Sequence, residues 1–359
     1  MKKIAIVDYI GNSDEFGNPI GHPIKVIQDY YNLLEEDVEI KLIIPSNYRD
    51  KIQLKNENES IYLDYFMNML SYSKLGKLRN IIGRILNLRN VFKDSKDCEI
   101  IWFINIDKIL YLYLYIVKVK CRSEIWITQY SMIYKENGSA KDKLLKRISD
   151  RVYDRFKFIL SYNKKVMETY NNILKIPDYF YNEEQFEIYK NNIKKNEVIA
   201  IGTILESKDF EGIVNEFKNI NINLNIVGKF HDKARFNKLK EMAKHAENIK
   251  IEDLDLTYDK YYEMMSQYKY VILPYKKENY FQRTSGVLIE AKLIGAIPIA
   301  PKYLLEFNNI NGIAYEDVED LNSIIKNILN GNGDGILNFN EDIDIYNSKK
   351  IKKKILDEI

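Results

Sequence analysis

Lys208, the run Thr284-Ser285-Gly286 and Glu290 are residues whose types and spacing suit a charged, hydroxyl-bearing ligand. A lysine ammonium is a compact point charge for phosphate oxygens. Ser and Thr cap the first turn of a helix. A glycine there lets a phosphate approach backbone N–H groups where the helix dipole is positive. A carboxylate one turn further on can accept hydrogen bonds from both hydroxyls of a ribose. Plainer uses exist for each: a solvated loop lysine, an ordinary N-cap, a helix glutamate in a surface salt bridge. Glu290 lies among Val287, Leu288, Ile289 and Leu293. Partial burial is therefore expected, and a buried carboxylate needs a partner.

The elements that must position these residues are legible around them. From Val271 to Ala300 the chain reads VILPYKKENYFQRTSGVLIEAKLIGAIPIA. An apolar strand ends at Pro274-Tyr275, a polar loop leads to Ser285-Gly286, a helix carrying Glu290 stops at Gly295, and a second apolar strand follows. Such a unit can hold a diphosphate at the helix N-terminus. Upstream, the alternation predicts strands at 198–201, 224–227, 249–251 and 270–273, with helices at 209–217, 233–245 and 256–266 between them. The first half reads the same way: strands at 3–8, 38–44, 100–104, 125–128 and 158–161, with a helix over 23–34. Strands alternating with helices imply parallel, doubly wound sheets. Residues 182–196, polar and rich in Asn, Lys and Glu, read as a linker.

At 359 residues, with 46% hydrophobic and 30% charged side chains, the chain suits two domains. The expected division is 1–183, 184–338 and a C-terminal helix or tail over 339–359. A net charge of +2 gives no global argument for nucleic acid. Cys98 and Cys121 form neither a CxxC zinc half-site nor a disulfide framework, which favours a reducing cytoplasm. The opening MKKIAIVDYIG is too short an apolar run for a signal peptide before Asp8. The longest apolar run, Ile109–Val117, falls well short of the ~20 residues a spanning helix needs. No Ser-His-Asp set or His-rich cluster has useful spacing, and Asp253 and Asp255 flank Leu254.

The second half resembles the donor domain of GT-B glycosyltransferases, particularly the GT4-like group. Gly202 follows a strand and Lys208 lies six residues later in GTILESKDFEGI; Ile226-Val227-Gly228 matches the family's strand ending in glycine; Glu290 falls at the second acid of its Glu-x7-Glu motif. The resemblance covers about 196–330 well and the N-terminal half in outline. It implies two Rossmann-like domains facing across a cleft and transfer of a sugar from a nucleotide-diphosphate sugar, UDP-sugar favoured, to a glycan or lipid-linked acceptor. It further implies retention of configuration, no metal and no cofactor, so that Asp253 and Asp255 read as loop residues, in surface polysaccharide or glycoconjugate synthesis. By position it assigns donor binding to Gly202, Thr203, Lys208, Ser285, Gly286, Val287 and Glu290. Catalytic roles go to Lys208, Gln282 and Arg283, and acceptor or sugar contacts to Gly21, His22 and Gln129. Two positions depart from the pattern. Gln282 stands where the family has its first acid, and Thr203 where it has Arg. An amide can bond a sugar hydroxyl but offers no charge to an oxocarbenium ion, and Arg283 is the nearby cation.

One further stretch stands out. Between Asp64 and Asp94 no acidic residue occurs, while Lys74, Lys77, Arg79, Arg84, Arg89 and Lys93 alternate with apolar residues at helical spacing. This predicts either a core helix with a solvated basic face or a helix lying on an anionic membrane, with Gly76 and Gly83 weakening it. The protein is expected in the cytoplasm, the stripe allowing a peripheral position on the inner face of the plasma membrane. No nucleic-acid motif accompanies the charge. Two other readings stay open: a non-catalytic GT-B glycan-binding or partner subunit, and a sugar-nucleotide epimerase or hydrolase.

Overall fold

A computed structural model describes residues 1–13, 17, 19, 23–54, 60–68, 73–117, 121–135, 138–182, 184–230, 232–281, 283–329, 336–339 and 342–359. The chain forms two compact units, Met1–Phe180 with Ser348–Ile359, and Tyr181–Asn347.

The first unit is built on a seven-stranded sheet in the order Ser60–Leu63, Glu39–Pro45, Lys3–Asp8, Ile100–Asn105, Glu124–Thr128, Phe156–Leu160, Ile173–Leu174. All neighbours are parallel. Runs such as Ile100–Asn105 are almost wholly buried, as parallel strands covered on both faces must be. Helix Pro23–Leu34 and the terminal helix Ser348–Leu356 cover one face, where Ile351 and Ile355 join the core and Lys352 pairs with Asp37. Helices Lys74–Asp94, Lys108–Val117 and Ala140–Val152 cover the other.

Gly83 does not break its helix. A Cβ there would lie 1.8 Å from the Tyr65 ring, so the glycine admits that ring against the helix. Arg84 leaves the basic stripe: it turns inward to Asp107, with 11% of its side chain exposed.

The second unit repeats the architecture. Its sheet runs Ile249–Asp253, Leu224–Gly228, Lys195–Ile201, Tyr268–Ile272, Ile297–Pro301, Gly312–Tyr315, Ile336–Leu337, parallel except for the last pair. The chain order reverses between Lys195–Ile201 and Tyr268–Ile272, the kind of switch point where α/β sheets bind ligands. The polar stretch 182–196 is not a bare linker. It holds helix Glu184–Lys190, whose Phe186 is 1% exposed and packs edge-on against Tyr181 and Tyr262, and its end already belongs to the strand beginning at Lys195. Among the described residues no helix is long and apolar enough to cross a membrane.

Candidate functional site

The strand ends of the second unit are held tightly together. Gly202 follows Lys195–Ile201 with φ +111°, and its N–H bonds the Val227 carbonyl at 3.1 Å. Gly228 ends the neighbouring strand, and a Cβ there would fall 1.7 Å from the Gly202 carbonyl oxygen. No other residue fits. This close approach starts the loop that carries Lys208.

Lys208 is 6% exposed. Its Nζ donates to the Thr203 carbonyl at 2.7 Å and lies 5.2 Å from the centroid of the Tyr275 ring. Among the described residues no carboxylate is within ion-pairing distance of it. Burial holds its pKa down at about 8. Its backbone is fixed by a bridge to Tyr275 and by Arg235, which donates to the Lys208 carbonyl at 2.8 Å while pairing with Glu211. The ammonium is anchored and underpaired.

Tyr275 joins Lys208 to the next element. Ser285 Oγ donates to the Tyr275 hydroxyl at 3.2 Å and accepts from the Leu288 N–H at 3.3 Å, capping helix Gly286–Leu293. The Gly286 and Val287 N–H groups, at the open end of this helix, have no acceptor among the described residues. The helix stops where the sequence says it must. Gly295 takes φ +77°, its N–H bonds Lys292 and that of Ala296 bonds Ala291, the paired bonds of a Schellman motif. Tyr280 stacks on Tyr275 at 4.0 Å.

Glu290, 7% exposed, is the centre of a tyrosine cage. Tyr181 and Tyr262 donate to Oε1 at 3.1 and 3.2 Å, and Tyr261 to Oε2 at 2.9 Å. Burial first, and then the Glu290 charge, push the Tyr261 hydroxyl well above its ordinary range, so it stays a donor. The Tyr261 ring edge is 4.0 Å from where a Cβ on Gly202 would sit, which ties the cage to the strand ends. Lys208, Tyr275, Ser285, Gly286, Tyr261 and Glu290 thus form one neighbourhood.

The other expected residues differ in what they contact. Thr203 is exposed and contributes its carbonyl. Arg283 is exposed, and its guanidinium has no partner among the described residues. Gln129, in the first unit, is buried: its Oε1 accepts from Tyr111 at 2.7 Å, its Nε2 donates to the Ser131 carbonyl and its own carbonyl accepts from Ser161. Its amide is spent on the fold. Gly21, His22 and Gln282 lie outside the described residues. Asp253 and Asp255 pair with Lys233 and Lys229. Nothing local in the sequence distinguishes the cage tyrosines among the 28 of the chain.

No protein-family model matches the chain, and no curated protein matches its sequence. Solved structures do match. Sucrose-phosphate synthase from Thermosynechococcus elongatus is 14% identical with a TM-score of 0.63, covering 99% of this chain and 94% of its own. Anabaena HepE, crystallised with UDP, is 13% identical with a TM-score of 0.65, covering 100% and 99%. WaaB, a lipopolysaccharide outer core galactosyltransferase, is 12% identical with a TM-score of 0.62 over the whole of both chains. These neighbours are GT-B glycosyltransferases, and at such identities the likeness defines the fold: two Rossmann-like α/β units of GT-B type.

Proposed function

We propose that this chain is a glycosyltransferase that takes a sugar from a nucleotide-diphosphate donor. The observation that carries the reading is Lys208, a buried ammonium with one internal carbonyl for a partner, next to a capped helix N-terminus. Departure of a nucleoside diphosphate puts negative charge on its oxygens, and preorganised cations and N–H groups stabilise it in a dry site. Lys208 supplies the cation, the Gly286 and Val287 N–H groups the dipoles, and the uncommitted Arg283 a second cation. Glu290 receives the ribose hydroxyls in exchange for tyrosine hydroxyls of its cage. HepE has been crystallised with UDP, with UDP and glucose, and with UDP-glucose, which favours a UDP-sugar here.

The acceptor is a glycan or a lipid-linked glycan, and transfer retains configuration, the leaving phosphate helping to deprotonate the acceptor on the same face. Lys208 and Arg283 let the donor bind without a metal. Gln282 offers the sugar a hydrogen bond and no charge. A second reading, a non-catalytic partner that binds the donor or a glycan, is favoured by that amide and by the tyrosines already filling Glu290.

Calorimetric titration with UDP, GDP, ADP and CMP in EDTA tests the donor site. Saturable binding of one nucleotide, weakened in Lys208→Met, supports it, and binding of none overturns it. A transfer assay with the matching nucleotide-sugar then separates enzyme from partner: product with an acceptor marks the enzyme, and donor binding without turnover marks the partner.

A further inference from the structure

The helix Lys74–Asp94 turns its apolar face away from the core. Gly83, Asn87, Leu88 and Val91 make its buried side. On the opposite side Leu75, Leu78, Ile82, Ile85 and Leu86 fall within an arc of about 100° at helical spacing, and all are exposed, Leu75 at 80%. An ordinary surface helix shows the reverse pattern. Exposed cations border this stripe: Lys74 and Arg79 fall just outside its two edges, and Arg89 and Lys93 follow at its C-terminal end.

Its neighbours extend the surface. Lys108–Val117 packs beside it, with Phe92 stacked flat on Tyr113 at 5.9 Å, and ends in exposed Ile116 and Val117. Ala140–Val152 packs beside that helix, Arg151 donating to the Tyr115 hydroxyl at 2.9 Å, and adds exposed Leu144 with Lys141, Lys143 and Arg147. The two acids of this third helix are already used, Asp142 in the capping box and Asp150 with Lys146.

We infer that this three-helix face of the first unit docks on an anionic lipid bilayer, its leucines and isoleucines entering the acyl boundary and its lysines and arginines meeting the headgroups. Apolar side chains between cations match a surface that is negative outside and apolar beneath. A second copy of the same face would set these cations against each other, and nucleic acid would leave the apolar stripe in water. The inference does not depend on the donor site.

Flotation of the full chain with vesicles of phosphatidylcholine alone and with 30% phosphatidylglycerol, about a third anionic as a strong test of charge dependence, reads it directly. The parent should float with the anionic vesicles and stay behind with the neutral ones. Lys74→Gln/Arg79→Gln/Arg89→Gln should weaken anionic binding by about a hundredfold, and Ile82→Glu/Ile85→Glu should abolish it. Both should keep the parent's thermal unfolding midpoint, because every substituted side chain is exposed. No binding by the parent, or equal binding by the isoleucine variant, overturns the inference. So does a lipid-free dimer in sedimentation velocity that Ile82→Glu/Ile85→Glu dissolves, which would assign the face to a second copy.

Discussion

Asp8 and Lys208 are both buried charges near the carboxyl ends of strands in sheets of the same design. Asp8 is 0% exposed, yet its own unit answers it: Ile10 and Gly11 N–H groups and Asn105 donate to Oδ1, and the Tyr48 hydroxyl to Oδ2 at 3.0 Å. Lys208 receives one carbonyl. Burial raises the Asp8 pKa against the pull of its four donors, while at Lys208 burial is the sole cause of a fall to about 8. A charge whose partners are all internal is scaffolding for a turn. A charge left with a single neutral acceptor costs stability unless something binds there. The first sheet uses its switch-point charge to build itself; the second keeps its charge in reserve for an anion.

The largest expected effect tests the scaffolding half. Asp8→Ala strips acceptors from two N–H groups and the Tyr48 hydroxyl, and should cost about 3 kcal/mol, read as an earlier urea transition. UDP binding at low urea should survive, since Lys208 and Glu290 belong to the other unit. An unchanged transition would remove the distinction between the two charges.

Lys208→Met tests the other half and should invert the pattern. UDP affinity should fall about thirtyfold, near 2 kcal/mol for a lost charge-assisted contact, while stability holds or rises because a buried, underpaired ammonium is gone. A variant that unfolds early with its UDP affinity intact would make Lys208 a structural residue.

The same lysine sets a pH dependence. In the free protein its proton leaves as pH rises through about 8, whereas a bound diphosphate keeps the ammonium charged to higher pH. Binding therefore takes up a proton above pH 8, and affinity should drop there by up to about tenfold per pH unit. For stability the sign is opposite: the unfolded lysine holds its proton to its ordinary value of 10.5, so the cost of burial is present below pH 8 and relieved between 8 and 10.5. Calorimetry from pH 7 to 10 should show the loss of affinity in the parent and not in Lys208→Met. Parallel curves would assign the titration to another group.

What the sequence made legible here is local. Gly295 ends its helix because only a left-handed residue closes the turn, and Lys208 is marked by its distance from Gly202. Both lie within a few residues of the feature that explains them. The tyrosine cage is not local: Tyr181 stands 109 residues from Glu290, and Tyr261 and Tyr262 come from another helix. Likewise Arg84 reads as one more cation of the stripe until Asp107, 23 residues on, takes it inward. Phe186 hides a helix inside a stretch whose composition says linker. Periodicity shows which face of an element is apolar, not which partner that face will meet. For Lys74–Asp94 the apolar stripe was visible in sequence, and that it faces away from the core was not.

The smallest effect concerns Glu290, where the comparison is between a carboxylate that ties its own unit together and one that also serves a ligand. Glu290→Ala would strand three tyrosine hydroxyls and confuse the two roles. Glu290→Gln keeps the shape and one acceptor oxygen for Tyr181 and Tyr262, and withdraws the charge and one acceptor from Tyr261. If a ribose displaces tyrosine hydroxyls here, UDP affinity should fall by about 1 kcal/mol, roughly fivefold. Inorganic diphosphate, which has no ribose, should bind the variant as it binds the parent. Lys208→Met should weaken both ligands alike, because its contact is with phosphate. Diphosphate weakened as much as UDP by Glu290→Gln would mean that the cage acts through the fold, and UDP binding untouched would confine Glu290 to its tyrosines.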